Sequence, residues 1–194
     1  MNRTALNILI VKLSAIGDVV HTLPALNALR RHYPEARITW LVEEAAAELL
    51  TGHPALDRLL VSRRKTWLAG LGTRQRATHL RQVMAFLKDL RDTRYDIILD
   101  FQAALKGALL IALARGKRKI GFGPGMQHQE HSYLVLNERI PMVSMEIHAL
   151  ERGLKMVEAL GVPGSPVRLS QSIPWQNGKP SYGPWGGLRC WPMS

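Results

Sequence analysis

The chain has 194 residues, 46% of them hydrophobic, which excludes global disorder and allows one ordinary domain with a buried core. Its 26 basic and 15 acidic residues give a formal net charge of +11, which predicts an anionic partner: a nucleic acid, an acidic lipid surface or a phosphorylated small substrate. The one cysteine, Cys190, excludes an internal disulfide, and the longest apolar stretch, residues 107–114, is far shorter than the roughly 20 residues of a membrane span.

Strand-like and helix-like segments alternate along the chain. Residues 7–12 form a short apolar run rich in β-branched side chains, which is typical of a strand buried on both faces. From Val19 to Leu29 apolar residues recur at helical spacing, but Pro24 interrupts them, so we expect one turn at Asp18 and the main helix from near Pro24. Further strands are predicted at 37–42, 57–61, 95–101 and 118–123, and helices at 43–50, 80–90, 103–114 and 147–161.

This alternation predicts an α/β fold, a Rossmann-like parallel sheet with helices on both faces. Ligands of such sheets bind beyond the carboxyl ends of the strands. Four segments that contain polar residues come just after a predicted strand: 14–18, 43–44, 62–65 and 100–106. We therefore expect them to meet at one site.

The last part of the chain has a different composition. From residue 164 to 194 no apolar period survives, and Pro, Gly, Ser and Trp dominate. We therefore expect a domain at 1–163 and a linker or irregular tail at 164–194.

Asp18 lies beside Ser14 and Gly17 in the turn between the first strand and the first helix. Gly17 would let a ligand approach the backbone or supply a positive φ angle. As an N-cap, Asp18 would accept backbone N–H bonds and stabilise the helix by about 1 kcal/mol. At the ligand-binding edge it would instead act as a general base, kept ionised by the helix N-terminus. The residues alone leave both roles open.

Basic side chains are concentrated between residues 58 and 94, and most of them suit a solvated helix face. The compact group Arg63, Arg64 and Lys65 follows a strand at the expected binding edge, where arginine suits phosphate oxygens. Gln102, after the strongest strand, is either a ligand of a sugar hydroxyl or a polar strand end that meets solvent. No His, Cys or carboxylate cluster has metal-ligand spacing, so no metal is expected.

Five stretches together form a specific pattern over residues 7 to 163. "ILIVKLSAIGDVVHTLPAL" contains Lys-x-Ser-x-x-Gly-Asp followed by a proline, and four more stretches follow: "WLVEE", "SRRKTW", "YDIILDFQAALKGALL" and "HALERGLKMVEALGV". Their order and spacing resemble the bacterial ADP-heptose:lipopolysaccharide heptosyltransferases of glycosyltransferase family nine, the first of the pathway more than the second. The chain departs from the family pattern at Ala103, where a glycine is expected, and in its more compact basic cluster.

The resemblance implies a GT-B architecture in which this chain supplies the N-terminal, acceptor-binding domain. We expect the donor-binding domain to be missing, since no Asp-x-Gly-x-x-His segment of the family's donor-phosphate element is present. The implied enzyme is a glycosyltransferase that moves heptose from ADP-heptose to the Kdo–lipid A inner core of lipopolysaccharide. The implied reaction is inverting and uses no metal and no cofactor. The chain alone is expected to be inactive, because half of a cleft cannot align donor and acceptor.

The resemblance also assigns residues. Asp18 would be the general base, in a turn shaped by Ser14 and Gly17. The acceptor would be bound through its phosphates and its sugars by Arg63, Arg64, Lys65, Gln102 and Lys106.

Two other interpretations of the function stay open. One is a non-catalytic module that binds anionic glycolipid, and another is a family member that uses a different sugar nucleotide. A nucleic acid is not expected, because aromatic residues make up only 6% and no recognised motif is present. No cleavage site follows the N-terminal apolar run, so we expect a cytoplasmic protein. The resemblance implies that it is peripheral at the inner face of the inner membrane. We also expect a non-native or out-of-frame tail after about Ile173.

Overall fold

A computed structural model describes residues 5–72, 74–125, 130–141, 143–144, 147–163, 175–176 and 179–180. The chain divides into two units, Met1–Gly164 and Ser165–Ser194. Most of the expected irregular tail, including the segment after Ile173 apart from four residues, lies outside the described residues.

A six-stranded parallel sheet forms the centre of the first unit. Its strands are β1 (Asn7–Val11), β2 (Arg37–Glu43), β3 (Arg58–Ser62), β4 (Tyr95–Asp100), β5 (Gly116–Phe122) and β6 (Glu138–Ile140). Their order across the sheet is β3-β2-β1-β4-β5-β6, and every neighbouring pair is parallel. This is the strand order of a Rossmann fold, whose ligands bind where the order reverses, between β1 and β4.

Two helical layers cover the sheet, which confirms the predicted α/β class. The helices are α1 (Ile16–His32), α2 (Arg64–Leu71), α3 (Arg76–Arg91), α4 (Leu105–Leu113) and α5 (Ala149–Glu158), with 3₁₀ turns at Glu44–Leu49 and Ser132–Val135. One core contains residues of α1, α5 and the first 3₁₀ turn, and the other contains residues of α2, α3 and α4 with the second 3₁₀ turn packed against it.

Strand β1 shows why its sequence is apolar without alternation. Ile8 and Ile10 belong to the core on one face of the sheet, whereas Leu9 and Val11 belong to the core on the other, and all four are fully buried. Since successive side chains of a strand point to opposite faces, a central strand covered on both sides needs apolar residues at every position.

The prediction that the main helix opens near Pro24 is wrong. Helix α1 begins at Ile16, with Ala15 as its N-cap, and continues through Pro24 to His32. A proline inside a helix costs about 3 kcal/mol. The fully buried Val19, Leu26 and Leu29 of the same helix each gain roughly 1.5–3 kcal/mol from leaving water, which outweighs that cost.

In the first unit three short elements were not predicted: α2, the 3₁₀ turn at Ser132–Val135 and β6. The predicted helix at 43–50 is a 3₁₀ turn at Glu44–Leu49. These elements are three to eight residues long, too short to show a clear apolar period.

In the second unit the described residues form a short antiparallel pair, β7 (Trp175–Gln176) and β8 (Lys179–Pro180). Among the helices that the structure describes, none combines the length and the apolar character needed to cross a bilayer.

Candidate active site

The segments that follow β1, β2 and β4 meet at the carboxyl edge of the sheet. Backbone hydrogen bonds continue past the strand ends: Phe101 N–H donates to the carbonyl oxygen of Val11 at 3.1 Å, and Glu43 N–H donates to that of Leu13 at 3.0 Å. The edge next to the reversal point therefore brings together polar segments from distant parts of the chain, as the sequence predicts.

Asp18 is the third residue of α1, not its N-cap. The interpretation of Asp18 as an N-cap is therefore wrong, although it lies in the first turn, where a carboxylate favours the helix. Its Oδ2 accepts a hydrogen bond from Lys12 Nζ at 2.9 Å, and its side chain is 48% exposed, whereas that of Lys12 is 10% exposed. The carboxylate is thus paired on one side and open to solvent on the other.

Asp18 is ionised at neutral pH. Partial burial acts to raise its pKa, but the hydrogen bond and charge of Lys12, the backbone N–H of Ala15 and the charge of His21 outweigh burial and hold the pKa below its ordinary value. The pKa is lowered, as predicted, but Lys12 lowers it more than the backbone N–H of Ala15 at the helix N-terminus does. Asp18 can therefore accept a proton as a weak base.

Gly17 precedes Asp18 at a place with free space around it. Apart from its chain neighbours and the backbone of its own helix, a Cβ atom built on Gly17 would meet no atom within 4 Å, and the residue is not among those with positive φ. Of the two roles predicted for Gly17, close approach of a ligand is the one that this geometry allows.

Gln102 holds the turn that carries Asp18. Its Oε1 accepts hydrogen bonds from the backbone N–H groups of Leu13 at 2.8 Å and Ser14 at 3.1 Å. The peptide bond between Ser14 and Ala15 is cis. Because the Gln102 oxygen is engaged within the protein, its amide NH₂ group is the part left to meet a ligand.

Asp100, the last residue of β4, organises the segment that contains Gln102. Its Oδ1 accepts the backbone N–H groups of Gln102 and Ala103, each at 3.0 Å. Ala103 has a φ of 51°, in the left-handed region that glycine adopts without steric cost. This explains why the family pattern leads us to expect glycine at Ala103.

Asp100 gives the fold a distinctive pH dependence. Burial raises its pKa to about 6, although the N–H groups of Ala103 and Gln102, the Ser132 hydroxyl and the charge of Lys12 act to lower it. The folded chain keeps the proton that the unfolded chain loses near pH 4, so this group lowers stability as pH rises from about 4 to 6, by about 3 kcal/mol in total. We expect Asp100→Asn to remove this loss, measured as the difference between the wild-type and variant free energies of unfolding across that range.

Asp96→Asn is the matched control. The pKa of Asp96 is held below its ordinary value by the hydrogen bonds from Lys117 and from the Asn7 N–H. Asp96 therefore contributes stability that is present above the unfolded-state pKa of about 4 and is lost below it. We expect Asp96→Asn to keep the loss of stability between pH 4 and 6 and to change the pH dependence only at lower pH, in the opposite sense. Parallel wild-type and Asp100→Asn curves between pH 4 and 6 would contradict the assignment.

Lys106, Glu43 and Ser14 form a second polar group beside the first. Lys106 Nζ donates to Ser14 Oγ and lies 3.5 Å from Glu43 Oε1, while Arg64 Nη2 lies 3.7 Å from the same oxygen. The Glu43 side chain is only 7% exposed, so its charge is compensated inside the protein. Residues 43–44 lie at this edge as predicted, but Glu43 was not among the predicted site residues. Its position could have been noticed, because it is a carboxylate that directly follows an apolar run.

The basic cluster that follows β3 lies at the same edge, where it was predicted. Arg63 is the N-cap of α2, and its Nε lies 3.2 Å from Glu44 Oε1. A cavity of about 270 Å³ is lined by Glu43, Glu44, Ala45, Ser62, Arg63, Lys65 and Thr66. Within the described residues no group of three or more His, Cys, Asp or Glu side chains is arranged to hold a metal ion.

The fold and the site define an α/β domain of the Rossmann type with an ionised carboxylate at its ligand-binding edge. The model of the family "Glycosyltransferase family 9 (heptosyltransferase)" matches residues 83–179, half of the chain. The chain belongs to this family, which confirms the resemblance and the GT-B type of domain.

Similar proteins match longer stretches of the chain. The chain is 28% identical over 154 residues to the lipopolysaccharide core heptosyltransferase OpsX of Haemophilus influenzae, covering 79% of the chain and 40% of that protein. It is 30% identical over 151 residues to lipopolysaccharide heptosyltransferase 1 of Escherichia coli, covering 76% and 45%. The structure of E. coli heptosyltransferase WaaC with ADP-2-deoxy-2-fluoro heptose matches with a TM-score of 0.73 and 30% identity, covering 82% and 50%. The chain thus spans less than half the length of these two curated relatives.

Proposed function

We propose that this chain is the acceptor-binding half of a heptosyltransferase that transfers heptose from ADP-heptose to the Kdo–lipid A inner core of lipopolysaccharide. The observation that carries the proposal is the ionised, half-exposed Asp18 at the reversal point of a family 9 sheet. The E. coli enzyme solved with a fluorinated ADP-heptose supports the choice of donor.

In the proposed reaction Asp18 is the general base. An acceptor hydroxyl oxygen forms a bond to the anomeric carbon of heptose, the bond from that carbon to the phosphate oxygen of ADP breaks, and the hydroxyl proton passes to the Asp18 carboxylate. A weak base suffices where the transition state resembles an oxocarbenium ion, because the proton is lost late. The proposed displacement inverts the anomeric centre and uses no metal and no cofactor.

Three further groups of residues at the edge would serve the acceptor. Arg63, Arg64 and Lys65 would bind the lipid A phosphates. The ion pair of Arg63 with Glu44 is exposed and that of Arg64 with Glu43 is long, so an anion can compete with both. Lys106 and the amide nitrogen of Gln102 would meet the sugars. Ser14 and Gly17 would shape the turn of Asp18, and the open space at Gly17 would let a sugar approach.

The proposed location follows from the proposed acceptor. A lipid-linked acceptor keeps the enzyme at a membrane surface, and the proposed place is the cytoplasmic face of the inner membrane. The donor-binding half of such an enzyme would complete the cleft, so the 194-residue chain alone should bind acceptor without turnover.

A binding experiment tests the acceptor assignment. We expect this chain to bind water-soluble, de-acylated Kdo–lipid A phosphate at least about tenfold more tightly than the same glycan without its phosphates, because charge-assisted hydrogen bonds are lost with them. The dissociation constants are measured by calorimetry. Arg63→Gln combined with Lys65→Gln should remove most of the difference.

Arg31→Gln is the control for charge alone, because Arg31 is exposed at the end of α1, away from the carboxyl edge. Equal affinity for the phosphorylated and dephosphorylated glycans would contradict the phosphate-binding role. Failure of both glycans to bind would contradict the proposed acceptor.

A further inference from the structure

Exposed apolar side chains are concentrated on one of the two helical layers. The layer formed by α2, α3, α4 and the 3₁₀ turn at Ser132–Val135 is called here the basic layer. Among the described residues nine large apolar side chains are exposed, and six of them, each more than half exposed, lie on this layer: Leu68, Leu80, Met84, Leu105, Leu109 and Leu134.

Positive charge is concentrated on the same layer. Its α2 and α3 region, residues 64–91, carries one acidic residue, Asp89, and seven basic residues: Arg64, Lys65, Arg74, Arg76, Arg81, Lys88 and Arg91. The opposite layer, formed by α1, α5 and the 3₁₀ turn at Glu44–Leu49, is nearly neutral, with four basic and five acidic residues. Exposed apolar side chains and positive charge, two independent properties, are therefore both concentrated on the basic layer.

On α3 the two kinds of side chain share one stripe. Five exposed residues compose it: Leu80, Arg81, Met84, Lys88 and Arg91. At about 100° per residue they span an arc of about 100°, and Asp89 lies about 80° outside it. The buried Phe86 and Leu90 point the other way, into the core. A depression of about 420 Å³ beside the stripe is lined by Met84, Leu87, Lys88, Arg91 and Asp92.

We propose that the outer face of the basic layer docks on an anionic lipid bilayer. Leu68, Leu80 and Met84 would enter the headgroup region while the neighbouring Lys and Arg side chains contact lipid phosphates, the arrangement of interfacial amphipathic helices. This inference rests on the proposed function in one respect: a lipid-linked acceptor has to reach the site from the membrane.

The position of the layer suits that task. Helix α2 follows β3 and helix α4 follows β4, so both begin near the carboxyl edge, where Asp18 and the basic cluster lie. Leu68 on α2 and Leu105 at the start of α4 are the exposed apolar residues nearest to those beginnings in sequence. A bilayer against this face would hold an acceptor headgroup beside the edge of the sheet.

A nucleic acid fits the same face less well. Single-stranded nucleic acids are held by exposed aromatic rings on which bases stack. Trp67 and Phe86, the aromatic residues of α2 and α3, are both buried, with their ring centroids 5.1 Å apart. The exposed large side chains of the layer are aliphatic, which suits lipid.

Vesicle co-sedimentation tests the proposal on the full 194-residue chain. We expect the chain to bind vesicles of phosphatidylcholine with phosphatidylglycerol at least about fivefold more tightly than vesicles of phosphatidylcholine alone, with the preference falling as salt rises. Leu80→Ser with Met84→Ser, and separately Arg81→Gln with Lys88→Gln, should each weaken binding about fivefold or more. These side chains are exposed, and equal unfolding temperatures verify that the variants fold.

Leu49→Ser and Arg31→Gln are the matched controls, since each removes an exposed side chain of the same kind from the opposite layer. Equal binding to both vesicles, or equal losses in control and test variants, would overturn the proposal. So would competition by duplex DNA that is unaffected by the serine substitutions, because the face would then be a general polyanion site.

Loss of vesicle binding by the Leu80/Met84 variant with unchanged affinity for the de-acylated acceptor supports the docking face. Acceptor binding without any vesicle binding overturns the docking face and leaves the proposed function intact, whereas vesicle binding without acceptor binding overturns the proposed function alone.

Discussion

Replacement of Asp18 by alanine is expected to lower the rate of heptosyl transfer at least about a hundredfold when the chain is joined to a donor-binding half. The proposed chemistry needs a carboxylate that accepts the proton of the attacking hydroxyl, and alanine has no proton acceptor. The rate is measured as ADP release with Kdo–lipid A as acceptor. The 194-residue chain without a donor half is expected to show no turnover in the same assay.

The ion pair with Lys12 requires a second variant. Asp18→Ala leaves the Lys12 ammonium, only 10% exposed, without its partner at 2.9 Å, so the single variant loses stability as well as a base. Asp18→Ala combined with Lys12→Met removes both charges. We expect the double variant to recover stability and to stay as inactive as the single one, which separates catalysis from folding.

A matched carboxylate far from the site completes the comparison. Asp92 pairs with Arg58 at 2.8 Å near the start of β3, at the opposite edge of the sheet from Asp18. Asp92→Ala should leave the rate of transfer unchanged. Near-normal turnover by Asp18→Ala would contradict the proposed base and leave Asp18 as a helix-stabilising residue of the first turn.

Replacement of Gln102 by leucine is expected to lower the free energy of unfolding by about 2 kcal/mol, because the backbone N–H groups of Leu13 and Ser14 lose their acceptor. The same change should reduce the transfer rate of the completed enzyme, since those two groups anchor the turn that carries Asp18. Urea unfolding measures the stability, and hydrogen exchange at Leu13 and Ser14 measures the local opening.

Gln102→Glu separates the hydrogen bonds from the amide itself. A carboxylate oxygen can accept the same two N–H groups, so this variant should keep most of the stability and most of the exchange protection. Gln82→Leu is the control for a surface glutamine: Gln82 is exposed on α3, and its loss should change stability by less than about 0.5 kcal/mol. Unchanged protection of Leu13 and Ser14 in Gln102→Leu would show that Gln102 does not hold the turn.

The positive charge at the carboxyl edge is compensated by nearby carboxylates more than the sequence suggests. Three basic residues follow β3, but Arg63 is paired with Glu44 and Arg64 lies near the buried Glu43. Lys106, which follows β4, lies near the same Glu43 side chain. Exposed ion pairs contribute little net free energy, so an arriving phosphate can replace the carboxylate of Glu44 at small cost. Glu43 is different, because its burial holds it beside Lys106 whether or not a ligand is bound.

Local sequence determined the framework of this domain. The β-branched runs in β1 and β4 specify buried parallel strands, and the regular apolar spacing in α3 and α5 specifies helices, because those patterns depend on neighbours a few residues apart. The end of α5 is also local: Gly161 has a φ of 77°, and Val162 N–H donates to the carbonyl oxygen of Val157 at 3.2 Å, as in a helix end closed by glycine. The carboxyl edge followed from the same patterns, since all polar segments after parallel strands meet there.

Only the tertiary structure decided which hydrogen bonds and ion pairs form at that edge. Gln102 bonds to amides 88 and 89 positions away, and Lys106 reaches Glu43 across 63 positions, contacts that exist only after β1, β2 and β4 pair. Pro24 inside α1 is likewise a tertiary outcome, because the gain from packing Leu26 and Leu29 on the sheet exceeds the local penalty of proline. Sequence periodicity reports which face of an element is buried, but the partner of a polar side chain is fixed by distances that arise only when the sheet assembles.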